Sequence, residues 1–270
     1  MGLSKNFPTS AGTEVLQEGG GSLPLMKKYN WPKPDVSLIA QATEHGRGFD
    51  DLPGRSPVRL DPCHTPMHYL QALFDPDPKS YICIADGGPQ TACTIPWEGF
   101  DPSWRPALVV PSLMNAIRGK KPNGDTSRRL ASMVSRRLYI VLETDFKPDD
   151  PGAAPTPIGE LMRNNPHLTT PKELSAGIAH YWIDQGWPVA LVLFSGNKSL
   201  HVWIATWQDE DDEAAARMFA YATARGADAS HWTLCQLIRC PEGRRETGEE
   251  QPVLYCDPRF MLGELPVIDY

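Results

Sequence analysis

The chain has 270 residues, 41% of them hydrophobic and 22% charged, with a formal net charge of −7. These are ordinary globular values with room for a sizeable core, in one large domain or two small ones. The acidic balance argues against tight, sequence-independent binding of duplex DNA by the whole surface, but not against a local basic groove.

From the N-terminus, residues 1–25 contain Gly19-Gly20-Gly21-Ser22 and little apolar periodicity, the pattern of a flexible leader. No charged n-region followed by an apolar stretch marks a signal peptide, and no apolar run nears the roughly 18 residues a membrane span needs. Without a secretory signal a cytoplasmic protein is expected, and its six cysteines, none in a CxxC pair, are expected to be reduced thiols. Cys63, His64 and His68 form the one zinc set that suggests itself, and their spacing matches no recognised ligand pattern. Residues 26–62 are rich in proline and polar groups, so elements there should be short. Thr65-Pro66 opens a helix with Met67, Leu70, Leu73 and Phe74 on one face. A strand over 80–85, a turn at Asp86-Gly87-Gly88-Pro89 and an apolar strand near 107–110 come next.

The pattern then becomes regular. Residues 138–145 read as a strand, and Thr170-Pro171-Lys172-Glu173 as a capping box opening a helix that Gly186 closes. Residues 189–194 and 199–206 read as a hairpin joined by Ser195-Gly196-Asn197-Lys198. Acidic residues 209–213 start a second helix that stops at Gly226, residues 234–239 read as a fourth strand, and residues 252–256 suggest a fifth. The order β-α-β-β-α-β predicts an α+β fold of the RRM-like (ferredoxin-like) type. Right-handed crossovers put the third strand between the first and second, and the fourth on the other side of the first.

That topology brings four polar segments to one edge. Glu143 and Asp145 end the first strand, two residues apart and so on one face, with backbones about 7 Å apart. Paired carboxylates suit hard cations such as Mg²⁺ or Mn²⁺, and two such ions can clamp an attacking hydroxyl and a leaving pyrophosphate. In the turn, Gly196 and Asn197 free backbone N–H groups for phosphate oxygens, Lys198 adds a charge, and Ser195 and Ser199 add hydroxyls. His201 lies on the face of Ser199 and Trp203. Asp228 precedes the fourth strand. Arginines cluster at 128, 129, 136 and 137, and again at 239, 244 and 245. Each feature has a plain structural counterpart: a strand end in solvent, a polar hairpin turn, ordinary solvated charges.

Leu138-Tyr139-Ile140-Val141-Leu142-Glu143-Thr144-Asp145 resembles the first motif of the archaeo-eukaryotic primase superfamily, hydrophobics followed by acid-x-acid. Ser195–His201, continuing to Trp203-Ile204, resembles its second motif. Gln236–Pro241 with Gly243 and Arg245, preceded by Asp228, is similar to its third region. Gln251-Pro252-Val253-Leu254-Tyr255 is similar to the segment C-terminal to that region in primase–polymerases of plasmids, phages and integrated elements. The resemblance is specific over about residues 130–258. It departs from many members in carrying Glu first in the acidic pair and in lacking a zinc-stem cysteine pattern.

After the leader over 1–25, the resemblance implies an N-terminal α/β module over 26–130 and an RRM-like catalytic module over 131–270. It implies a DNA primase/polymerase, a nucleotidyltransferase of mobile-element replication, using two Mg²⁺ or Mn²⁺ ions. Glu143 and Asp145 would be metal ligands, with Asp228 as the third carboxylate. Ser195, Lys198, Ser199 and His201 would hold nucleotide phosphates, assisted by Arg239. The partners implied are a single-stranded DNA template, nucleoside triphosphates and a separate replicative helicase, with no membrane. The competing expectation is a non-catalytic single-strand-binding module that stacks bases on sheet aromatics such as Trp203 and Tyr139.

Overall fold

Strands 138–143 and 189–194 are apolar at nearly every position, which is the pattern of a sheet buried on both faces. The computed structural model describes residues 29–146, 156–208 and 212–268. The expected leader, the polar segment after Asp145 and the acidic residues 209–211 therefore lie wholly or mainly outside the described residues.

Two helices, α1 (Val36–Thr43) and α2 (Pro66–Phe74), precede β1 (Tyr81–Ala85), β2 (Cys93–Pro96) and β3 (Leu108–Val109). A small hairpin of β4 (Gly119–Lys120) and β5 (Thr126–Ser127) leads to β6 (Tyr139–Glu143). Then come α3 (Pro157–Asn164), α4 (Pro171–Asp184), β7 (Val189–Phe194), β8 (Leu200–Ala205), α5 (Asp212–Thr223), β9 (Ile238–Arg239) and β10 (Val253–Cys256). The fold is α+β. No described helix is long and apolar enough to cross a membrane.

One sheet runs β10-β7-β8-β6 and a second β2-β1-β3-β9, with antiparallel neighbours throughout. As expected, β8 lies between β6 and β7. The expected fourth strand is not beside β6. Residues 234–239 shrink to β9, which leaves this sheet and pairs with β3, Leu108 opposite Arg239 and Val109 opposite Ile238. The cause is packing: Leu237 and Ile238 bury among residues of the β1–β3 sheet. The free side of β6 instead meets a 3₁₀ turn, Ala229–Trp232, and β10 takes the far edge beside β7.

On one face of the first sheet, Ile140, Leu142, Val202 and Ile204 pack with Leu174, Ile178 and Trp182 of α4 and Phe219 of α5. On the other, Tyr139, Val141, Leu191 and Trp203 pack with Tyr69, Leu73 and Phe74 of α2. Phe74 touches both Tyr139 and Trp203, and the Tyr139 hydroxyl donates to Leu73 O at 2.7 Å.

Thr170 caps α4 by accepting from Glu173 N–H at 3.2 Å. The reciprocal half of the expected capping box is absent, because the Glu173 carboxylate accepts from Phe49 N–H at 2.8 Å and ties residues 44–56 to α4 instead. His180 completes that tie. It is fully buried, its Nε2–H donates to Gly48 O at 2.9 Å, and Nδ1 faces Arg55 at 3.3 Å. Burial pushes its pKa below the ordinary 6.5, and the Arg55 charge adds to this against the pull of Gly48 O. The unfolded chain therefore binds a proton at a higher pH than the folded one. The stabilisation is fully present above pH 6.5 and is lost as pH falls below it. We expect stability to fall more steeply between pH 6.5 and 5 in the wild type than in His180→Gln, as read from denaturant midpoints. Equal slopes would show that His180 protonates alike in both states.

Candidate functional site

The site begins where β6 ends. Glu143, paired in register with His201 of β8, also has its carbonyl oxygen accept from Asp228 N–H at 2.8 Å. Thr144 is drawn toward α4, its hydroxyl 2.8 Å from Ser175 Oγ while Ser175 donates to Thr144 O. Asp145 thus lies beyond the strand and does not continue its alternation, contrary to the shared-face geometry expected from an eight-residue strand. Glu143 turns toward β8 and the 3₁₀ turn, and Asp145 toward Lys198.

The β7–β8 turn is closed by Ser195 N–H donating to Ser199 O at 2.9 Å, and Ser199 N–H donating to Ser195 Oγ at 3.3 Å. Gly196 sits at φ +77°, and a Cβ there would stand 3.0 Å from Glu250 O, so any L side chain would strain the turn. Arg245 Nη1 donates to Ser195 O at 3.2 Å and pins the turn from outside.

Two contacts couple this turn to the acids. Ser199 Oγ donates to Glu143 Oε1 at 2.6 Å, and Lys198 Nζ pairs with Asp145 Oδ1 at 2.7 Å. Sheet register sets His201 opposite Glu143, with Nε2 3.5 Å from Glu143 Oε1. The other carboxylate oxygen, Oε2, is 3.0 Å from His231 Nε2. Glu143, Asp145, Ser195, Lys198, Ser199 and His201 therefore converge, as the topology predicted. His231 joins them unpredicted; its only sequence signal was a histidine three residues after Asp228.

Burial alone would raise the Glu143 pKa, but the facing His201 and His231 rings outweigh it and hold the carboxylate well below its ordinary range. His201, 3% exposed, is pushed down by burial against the pull of Glu143. Its Nδ1 accepts Arg239 N–H at 3.4 Å, which leaves the proton on Nε2, facing Glu143. The resting pair is thus an ionised carboxylate beside a neutral imidazole. Among the described residues, His201 Nε2 and His231 Nδ1 are buried without a hydrogen-bond partner.

Two expected site residues arrive differently. Asp228 touches Glu143 through its backbone only; its carboxylate is exposed and accepts from Ser230 N–H at 2.9 Å, capping the 3₁₀ turn. Arg239 reaches His201 through its backbone N–H, and its half-buried guanidinium feels the charges of Arg245, Glu143 and Glu246. No group of three or more His, Cys, Asp or Glu among the described residues is placed to hold a metal. The zinc set at 63–68 is not assembled: His64 Nε2 bonds Pro266 O, His68 Nδ1 accepts from Thr65 N–H, and Cys63 is exposed. All six cysteines are free thiols.

The donors at the site are nonetheless of the right kind for a hard cation. Carboxylate oxygens have lone pairs beyond those used by Ser199 and His231, and the Asp145 side chain is 39% exposed. Magnesium-type ions are commonly held by one or two carboxylates plus substrate phosphates. The residues present fit a cation shared with a polyphosphate, and a full two-ion cage would need a further carboxylate such as Asp228 to leave its cap. No family model, curated protein or solved structure matches the chain.

Proposed function

We propose that the chain is a template-directed nucleotidyl transferase, a DNA primase–polymerase, with its active site where β6 meets the β7–β8 turn. The observation that carries this is the coupling of two carboxylates to a phosphate-suited turn, Ser199 on Glu143 and Lys198 on Asp145. A solvated strand end would not need a half-buried, ionised glutamate surrounded by two histidines and a serine. In this reading β6-α4-β7-β8 is the shared part of an RRM-like core, with its last strand replaced by the 3₁₀ turn carrying His231.

Glu143 and Asp145 would hold Mg²⁺ or Mn²⁺, which supplies charge neutralisation on the polyphosphate. Lys198, next to Asp145 and partly exposed, exchanges its carboxylate for the nucleotide's phosphates and orients them. The Gly196 and Asn197 N–H groups of the turn would bind the same oxygens, since Ser195 and Ser199 are buried and bonded to each other and to Glu143. His201, Ser199 and His231 keep Glu143 ionised and fixed in direction. A primer 3′-hydroxyl attacks the α-phosphorus; the new O–P bond forms as the bond to pyrophosphate breaks, and the hydroxyl proton passes to solvent. The protein would act on a single-stranded template in the cytoplasm, opened by a separate helicase.

A single-strand-binding module is the weaker reading for a specific reason. Trp203 and Tyr139, the aromatics it needs for stacking, are 0% and 1% exposed beneath α2.

The test is extension of a labelled primer on single-stranded template with ribo- or deoxynucleotides. We expect extension with Mg²⁺ or Mn²⁺ that stops on chelation. No product with either metal and either nucleotide type would overturn the proposal.

A further inference from the structure

The two arginine clusters of the sequence meet different fates. Arg244 and Arg245 are neutralised by Glu250 and Glu249, and Arg105 also pairs with Glu250. In the other cluster, among the described residues, only Arg137 is paired, with Asp212 at 3.4 Å. Residues 111–142 carry seven Lys or Arg and a single acid, Asp125, in a chain whose net charge is −7. The β4–β5 hairpin projects most of them. Arg118, Lys120, Lys121, Arg128 and Arg136 are all exposed, and none forms an ion pair among the described residues. Asp125 is occupied within the turn, where Asn123 Nδ2 donates to it at 2.8 Å.

The hairpin is braced against the rim of the candidate site. Arg129 Nη1 donates to Cys235 O at 2.9 Å. Arg137 Nη2 donates to Trp232 O at 3.0 Å, with its guanidinium 3.8 Å over the Trp232 ring. Between them those two arginines hold the stretch that presents His231 to Glu143 and Arg239 to His201.

We propose that the β4–β5 hairpin is a binding arm for the phosphate backbone of single-stranded nucleic acid. An unneutralised row of cations on an acidic protein concentrates a linear polyanion locally while the rest of the surface repels it. Its one exposed aliphatic residue, Ile117, offers contact to an unstacked base but too little apolar surface to enter a bilayer. That the bound strand is a template leading to the site rests on the proposed function; binding by the arm does not.

The test is anisotropy of a labelled 20-mer of deoxythymidylate, without nucleotide, from 50 to 200 mM NaCl, for the wild type and for R118Q/K120Q/K121Q/R128Q. If each cation meets a phosphate, the salt slope becomes shallower by about 0.7 per cation, about 2.8 in total. Across that salt range the wild type should then lose on the order of 50-fold more affinity than the variant. A melting curve checks the fold. Should the fourfold variant not fold, K120Q/K121Q at the tip is expected to lose about 1.4 of slope. R118K/R128K should bind like the wild type. An unchanged slope, no binding by the wild type, or binding to phosphatidylserine vesicles in place of the oligonucleotide overturns the arm. Arm-dependent binding by a chain that never extends a primer would leave the arm standing and remove the nucleotidyl-transfer reading.

Discussion

Asp145→Ala is expected to abolish metal-dependent primer extension while leaving the fold nearly untouched. A carboxylate that helps hold the cation contributes several kcal/mol of transition-state charge stabilisation, so its loss should cost at least about a thousandfold in rate, at 1.36 kcal/mol per decade. The stability side rests on exposure. Asp145 and Lys198 are 39% and 35% exposed, and such pairs are worth about 0–1 kcal/mol. The melting temperature should therefore shift by no more than about 4 °C. Extension assays with a melting curve on the same preparation make the separation visible. Near wild-type extension by the variant would show that Asp145 only pairs with Lys198.

Glu143→Ala should lose both properties at once. Its carboxylate is 20% exposed and is bonded by Ser199 Oγ at 2.6 Å and approached by His231 at 3.0 Å and His201 at 3.5 Å. Truncation leaves the Ser199 hydroxyl and His231 Nε2 unpaired in a largely buried space, at roughly 1–3 kcal/mol each, about 3–5 kcal/mol together. For a chain of this size that is roughly 6–20 °C in melting temperature. Glu143→Gln keeps an acceptor for Ser199 and should recover part of the stability but none of the activity.

The depressed Glu143 pKa sets the sign of the pH dependence. Its contribution is fully present above the ordinary value of 4.5 and is lost as pH falls below it. The gap between wild type and Glu143→Gln should thus narrow from pH 7 to pH 3.5. A gap of constant size, or a Glu143→Ala variant as stable as the wild type, would contradict the ionised, half-buried state of this carboxylate.

The contrast between these two acids was not legible in the sequence, where they formed one motif. The legible part is local. Thr170-Pro171 opens α4 because a side-chain acceptor and a residue without an N–H suit the first helical turn. Residues 189–194 and 200–205 form a hairpin because two apolar runs flank a turn containing Gly196 at positive φ. Once β8 lay between β6 and β7, pairing register alone set His201 opposite Glu143. Chirality of the crossover and the two-residue period of strands are properties of the chain itself.

Tertiary packing decided the rest. Residues 234–239 look like a strand wherever they are placed; the partner they found, β3, depends on where Leu237 and Ile238 bury, over 120 residues away in sequence. Asp145 left its strand because Ser175 of α4 holds Thr144. Asp228 turned its carboxylate to Ser230, because a nearby unsatisfied N–H competes for it at no cost in chain ordering. His231 is held at Glu143 by Arg137, which grips the Trp232 carbonyl and ring, and by Asp228 N–H on Glu143 O. Trp203 and Tyr139 were the sheet's candidate base-stacking aromatics, and α2 covers them. In nearly every case the deciding contact joins residues far apart in the chain, and no local period or spacing encodes which distant surface will cover a given face.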